Sequence, residues 1–448
     1  MTNEVYASEV GAALDSDLLR GGGTDDTVAL QRVLDRAKDG GPVHLVIDGP
    51  ALVSGLDIYS HTTIEFIGGA GLFLKDGSTG AILRNAHRTR DEVVDEHIEI
   101  RGGFLNGNRK GQPRDLYPEE IAFRYVLEDD RTFRSALHFF GVNHLTIENT
   151  TLFNAHGFHS WVANAAFISI RNVIVDTGIP AFPERASLPE QNDWTTENWS
   201  NDDGLHFTGP IRYLTIDGAK IRTWDDAISI CANDWGVPGG SDDITLNNEM
   251  GPLIGQGPVT DVVISNVIFM DSHRGVRMLS SDQRMDRVLI SNATGTNRER
   301  FVTISHMSNP GLGNFGAITF HNVNVDPAPH PTWTELRGQN VEDLADGGSV
   351  ISDENDKPMF VLNARIDSLQ LHHITTRQID GRPLIQVGPD AEVELLDASL
   401  NVDDREVTAV PVTVAGRIRR LKLSVNWTGT DPIKYAGGAI EHLSVSSD

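Results

Sequence analysis

HLTIENTTLF, running from His144 to Phe153, and FISIRNVIV, from Phe167 to Val175, decide how this chain folds. Each places β-branched or aliphatic residues at alternating positions, then an Asx, then a second short apolar strand. Such residues suit a pleated, half-buried strand, and Asx suits the tight corner that follows it. The pattern returns as YLTIDGAKI from Tyr213, VVISNVIF from Val262, RVLISNATG from Arg287 and AITFHNVNV from Ala317. It continues as LQLHHITTR from Leu369, VELLDASLN from Val393 and RLKLSVNWT from Arg420. Positions such as Ile147 and Ile170, or Leu371 and Leu395, recur within the period of about 20–50 residues that marks repeat architectures. Longer gaps, as from Ile170 to Ile216, read as coils carrying loops on one face, where a binding cleft is built. Hairpin-turn dipeptides do not punctuate the strands, which argues against a β-sandwich. The expected fold is all-β, a single-stranded right-handed parallel β-helix.

Upstream, GTDDTVALQRVLDRAKDGG from Gly23 carries Thr24 or Asp25 as N-cap, apolar Val28, Leu30, Val33, Leu34 and Ala37, and Gly40 as a stop. That predicts an amphipathic helix over about 25–38, placed as a cap on the open end of the solenoid. A solenoid lengthens by adding coils, so 448 residues form one expected domain, with a cap region over 1–45 and coils over 46–448. Cleft-forming loops are expected at about 109–134, 180–200 and 232–258. Trp194 and Trp199 in the second are equally suited to stacking on a sugar or to packing.

Lys and Arg total 37 and Asp and Glu 63, a net charge of −26. Such a field opposes nucleic acid and anionic membranes as partners. Cys231 is the only cysteine, so no intramolecular disulfide forms, and it reads as a small buried apolar residue. No apolar run reaches the length of a membrane span, and Met1 to Tyr6 has no signal-peptide character. The compartment is left open between the cytoplasm and secretion with a leader absent from this chain. Zinc spacings, phosphate loops and nucleophile elbows are lacking, so neither a cofactor nor a metal is expected.

Three clusters sit at strand edges: Asn201-Asp202-Asp203-Gly204-Leu205-His206-Phe207, Trp224-Asp225-Asp226-Ala227-Ile228-Ser229-Ile230, and Ser272-His273-Arg274-Gly275-Val276-Arg277-Met278-Leu279. The first two are one coil apart, and parallel strands stack at about 4.8 Å, so their carboxylates approach one another. Glycoside hydrolysis needs one protonated and one ionised carboxyl group, and mutual repulsion keeps a proton on one member of a cluster. Asp225 and Asp226 would point to opposite faces of a regular strand, so both reach one cleft only if the backbone bends. Taken singly, each motif also has a bland reading, Asp-Gly as a turn and Asp-Asp as a solvated corner.

The order Asn-X-Asp-Gly, then Asp-Asp before an apolar strand, then Gly-Val-Arg resembles glycoside hydrolase family 28, the polygalacturonases and rhamnogalacturonases. VTDVVISNVIFMDSHRGVRMLS from Val259 is the closest stretch. GTDDTVALQRVLD, LVSGLDIYSHTTIEF and HIEIRGGFLNGN are similar to the wider pectin-lyase-like β-helix superfamily. The resemblance implies that Asp203 and Asp226 hold the attacking water, that Asp225 is the general acid and that Arg277 binds substrate. Asn201, Trp224, His206 and His273 are further candidate substrate contacts; for both histidines a purely structural imidazole is the commoner case. Two departures stand out. Leu279 replaces the family's Lys, and the Gly-His-Gly segment is missing, with SDDITL at Ser241 or MGPLIG at Met250 in that region. Losing a cation in an acidic protein argues against polygalacturonate and for another, neutral glycan.

The leading expectation is thus an inverting glycoside hydrolase acting on a polysaccharide or oligosaccharide. A polysaccharide lyase, in which the three aspartates would hold calcium, competes with it. So do an epimerase or glycosyl transferase on the same fold, and a non-catalytic, tailspike-like glycan-binding β-helix. A homo-oligomer is compatible with all of these.

Overall fold

The computed structural model describes residues 4–78, 80–87, 92–112, 136–155, 157–178, 203–223, 225–232, 257–306, 312–327, 358–377, 383–402, 410–426 and 431–446. Among them, strands join into one continuous sheet that winds through the molecule. Pairing runs in parallel from coil to coil, as between Leu137–Glu148 and Ser160–Arg171, and between Val259–Leu279 and Met285–Ser305. This is a right-handed parallel β-helix, as the repeat predicts.

The repeat acts through side-chain alternation. Ile147 pairs with Ile170, Ile170 with Ile216, Ile216 with Ile264 and Ile264 with Ile290, and all five are buried. Stacking like on like fills the interior without a second sheet. The Asx positions are corners in the left-handed region: Asn149, Asn172, Asn266, Asn292 and Asn322 all have φ near +55°, and Gly218 takes the same place at +76°. Their side chains bond along the axis, Asn292 to Asn266 at 3.2 Å and Asn322 to Asn292 at 2.8 Å. Asparagine tolerates this backbone and supplies its own ladder.

Leu371 and Leu395 are not equivalent. Leu371 stands beside Ala398, Leu369 beside Leu396, and Leu395 is half-buried. The double leucine at Leu395-Leu396 leaves the choice of face open, and one residue of slip reverses every side chain.

The helix spans Thr27–Leu34 and continues as a 3-10 turn, Asp35–Asp39, ending at left-handed Gly40. Its cap is Asp26, not Thr24 or Asp25; Asp25 instead accepts from the Thr27 N–H at 3.0 Å. Leu30, Val33, Leu34 and Ala37 are buried, whereas Val28 is exposed, because it falls off the inward stripe. Gln31 exchanges two hydrogen bonds with the Asp57 backbone, fixing the helix beside Leu56–Ile58. These contacts seat the helix against the first coils and do not by themselves make it an end cap. The expected loop over 109–134 is described only as far as 112, that over 180–200 lies outside the described residues, and that over 232–258 is described only at its ends. Among the described residues no helix is long and apolar enough to cross a membrane.

Candidate active site

The acid cluster is carried by the strands Leu205–Asp217, Asp226–Cys231, Val259–Leu279 and Met285–Ser305. Asp226 pairs with Arg274 and Arg274 with Arg300, while the Gly204 N–H donates to the Asp226 carbonyl at 2.9 Å. A row of charge therefore crosses four coils: Asp203, Asp226, Arg274, Arg300. One step further on, His206, Ser229, Arg277 and Thr303 form a second row.

Gly204 and Gly275 are required by packing. A Cβ on Gly204 would meet the Ala227 carbonyl oxygen at 2.4 Å, and one on Gly275 would meet the Phe301 ring at 2.6 Å. The Asp-Gly pair is thus a close approach of coils and not a solvated turn. Phe301 also packs edge-on to Phe269, Phe320 and Phe360, an aromatic group within the core.

Carboxylate oxygens of Asp203, Asp225 and Asp226 lie within 4.8 Å of one another. The chain bends at Asp225, just before its strand begins at Asp226, and the Thr223 hydroxyl donates to the Asp225 carbonyl at 2.9 Å. This is the bend that two adjacent aspartates need to reach one cluster. Asp203 and Asp226 are fully buried, and Asp225 keeps 17% exposure.

Each carboxylate has a defined partner. Asp203 faces His206 Nδ1 at 2.7 Å and accepts from the Asp226 N–H at 3.2 Å. Arg277 donates to Asp226 Oδ2 at 2.9 Å. Among the described residues none donates a hydrogen bond to Asp226 Oδ1, which Arg274 approaches at 3.6 Å. Arg274 also donates to Asp225 at 2.8 Å and to Glu299 at 2.5 Å. Glu299, fully buried, lies 3.2 Å from His273 Nε2 and 3.1 Å from Arg300 Nε.

Burial, then the charge on Asp226, pushes Asp225 up to about 7, despite the opposing pull of Arg274. The same two causes push Asp203 up to about 6, with His206 opposing. Burial likewise holds His159 down at about 4; its N–H donates to the Asp203 carbonyl at 2.8 Å and anchors that backbone. The carboxyls of Asp203 and Asp225 thus sit where a proton can be held or released near neutral pH.

The structure brings together Asp203, Asp225, Asp226, His206 and Arg277, and puts His273 on Glu299 at the edge of the cluster. His206 is buried in a face-to-face stack on Phe158 with centroids 4.2 Å apart, so its ring is fixed in place against Asp203. Asn201, Trp224, Asp242 and Asp243 lie outside the described residues. Arg274, Glu299 and Arg300 join the site without a sequence motif that announces them. Arg274 lies within Ser-His-Arg-Gly-Val-Arg, but nothing local marks it as the partner of Asp225. Leu279 is buried beside Cys231 on the outward row, so no cation stands there; Arg274 and Arg300 supply positive charge from the neighbouring row instead.

Fold and site together define a β-helix with a buried acid cluster on its side. No protein-family model matches the chain, and no curated protein matches it in sequence. Solved structures do match. The family 28 exopolygalacturonase of Yersinia enterocolitica aligns over 99% of this chain and 78% of its own, with TM-score 0.61 and 14% identity. The exopolygalacturonase of Thermotoga maritima aligns over 100% and 92%, at 0.53 and 13%. The A-module of the mannuronan C-5 epimerase AlgE4 of Azotobacter vinelandii aligns over 99% and 97%, at 0.52 and 11%. At such identities the likeness establishes the shared β-helix fold, on which hydrolases and epimerases alike are built.

Proposed function

We propose that this protein hydrolyses a glycosidic bond, with Asp225 as the general acid and Asp203 and Asp226 holding the attacking water. The observation that carries this reading is the convergence of three carboxylates within 4.8 Å, two of them raised towards neutrality. Asp225 has the higher value and the more open position, as suits the group that protonates a leaving oxygen. Two oxygens up to 4.8 Å apart can share one water at about 2.8 Å from each. Asp226 Oδ1 offers such a water a buried acceptor that no described residue occupies. Arg277, with Arg300 at the rim, would hold substrate oxygens opposite the acids.

Water as the attacking group favours inversion at the anomeric carbon. The carboxylates are nevertheless closer than the roughly 6.5–9.5 Å usual in inverting enzymes and nearer the ~5 Å of retaining ones. Anomeric configuration is therefore the decisive readout. The test is digestion of a glycan panel by wild type and Asp225→Asn, followed by reducing-end assay and NMR. Inverted products lost in the variant support the proposal; retained configuration would make an aspartate the nucleophile.

A second reading draws on the three arginines beside the acids. A lyase or epimerase must abstract a proton next to a uronate carboxylate and neutralise that carboxylate, which Arg277 and Arg300 are placed to do. Unsaturated products absorbing in the ultraviolet would identify a lyase, and a changed sugar without chain cleavage an epimerase. Unchanged glycans across the panel would leave a binding β-helix.

A further inference from the structure

Away from the cleft, a second row of corners runs along the solenoid. His61, His97, His144, Phe167 and Tyr213 each turn the chain through φ between +55° and +59°. Their side chains project in line, and successive rings stack with centroids 5.3, 4.5, 4.6 and 4.9 Å apart. Phe167 and Tyr213 show that the stack itself needs only flat rings. At its N-terminal end the rings are imidazoles, and a carboxylate stands among them. Glu96 Oε1 lies 3.6 Å from His61 Nε2 and Glu96 Oε2 3.9 Å from His97 Nε2, and one ligand atom from each of the three residues lies within 4.8 Å of the others.

We propose that His61, Glu96 and His97 bind one divalent transition-metal ion of the zinc, copper or nickel class, tying together two neighbouring coils. Metal–ligand bonds of about 2.0–2.1 Å in a tetrahedral site put ligand atoms about 3.3 Å apart. The two nitrogen–oxygen separations, one to each carboxylate oxygen, exceed this by about 0.3 and 0.6 Å. The side chains are 40–52% exposed, so they can close the remainder by rotation. The backbone beneath them is already fixed: the His61 N–H donates to the Glu96 carbonyl at 2.9 Å, and the Glu96 N–H donates to Ser60 Oγ at 3.1 Å.

The rings lie 19° from parallel, so their nitrogen lone pairs run side by side. Binding must turn His61 and His97 towards Glu96 and open their stack. Two imidazoles and one carboxylate select borderline metals, whereas calcium and magnesium prefer all-oxygen sites. The net charge of −26 raises cation concentration at the surface. The sequence offers no zinc spacing because the two histidines lie on different coils.

The test uses the full chain, stripped with chelator and titrated with zinc chloride by calorimetry and with copper(II) by electron paramagnetic resonance. The expected result is one site with hyperfine coupling to two imidazole nitrogens. His61→Ala, Glu96→Gln and His97→Ala should each weaken it by about tenfold or more, while exposed His442→Ala leaves it unchanged. Circular dichroism checks that each variant folds. A copper spectrum without two nitrogens, or equal zinc affinity in wild type and the His61→Ala/His97→Ala double variant, would overturn the proposal. So would loss of binding in Asp225→Asn, which would move the ion to the cleft.

Discussion

Between Asp203 and Ser305, the charges of Asp226, Arg274, Arg277 and Glu299 are buried against one another, each with less than about an eighth of its side chain in solvent. In the coils from Arg365 to Ser446 the pairs Arg365–Glu392, Arg419–Glu394 and Lys422–Asp397 also bridge neighbouring coils, but stand largely in water. The scaffold is the same in both regions: a parallel ladder that sets like positions about 4.8 Å apart. What differs is solvent. Screening makes the C-terminal pairs energetically minor, whereas removing water from the central cluster makes every charge depend on its partner. The acid cluster is where buried charges of the β-helix are paired out of water.

The largest expected break in that contrast is chemical. Asp225→Asn should lower glycan cleavage by about 10²–10⁴-fold with the fold retained, as reducing-end assays would show; an unchanged rate would remove Asp225 as the acid. Next comes Glu299→Gln, which takes a charge from buried Arg274. It should cost about 3–5 kcal/mol in denaturant unfolding, since a buried ion is left undercompensated.

A pH series sharpens the comparison. With Asp203 raised to about 6 as base and Asp225 to about 7 as acid, kcat/KM should peak between those values; as the two are coupled, the limbs belong to the pair. The same shifts set a sign for stability. Between the ordinary carboxyl value of 3.8 and about 7, the folded state binds more protons than the unfolded state, so stability falls as pH rises through that window. Asp225→Asn escapes this cost, and its unfolding midpoint should rise relative to wild type from pH 4 to pH 8.

Smaller effects are expected away from the cleft. Asn292→Ala removes two ladder bonds and places alanine in the left-handed region, a loss of about 1–2 kcal/mol in thermal unfolding. Arg419→Ala, in an exposed C-terminal pair, should leave the unfolding midpoint where it is. A marked drop there would show that the C-terminal charges are not the solvated set described above.

The coils were legible because their signal is local and repeated. Alternation sets the inward face, and Asx marks a corner whose backbone few other residues tolerate. Asp203, Asp225, Asp226 and Arg277 were legible because each lies within a short motif. The face of Leu395 is not fixed by the sequence, because two adjacent leucines satisfy either face. Nor is the burial of Val28, because apolar character alone does not set direction.

By itself, then, the sequence determined a parallel β-helix and the order in which an acidic cluster would be brought to its side. Only the tertiary structure decided how that cluster is neutralised. Arg274 reaches back across 49 residues to Asp225 and forward across 25 to Glu299. The structure likewise chose the bend that turns Asp225 towards Asp226 and the Phe158 stack that holds His206 against Asp203. The reason is physical: a local pattern records which face a residue takes, but pairing between coils depends on register and on the length of each intervening loop. Those are set when the coils pack.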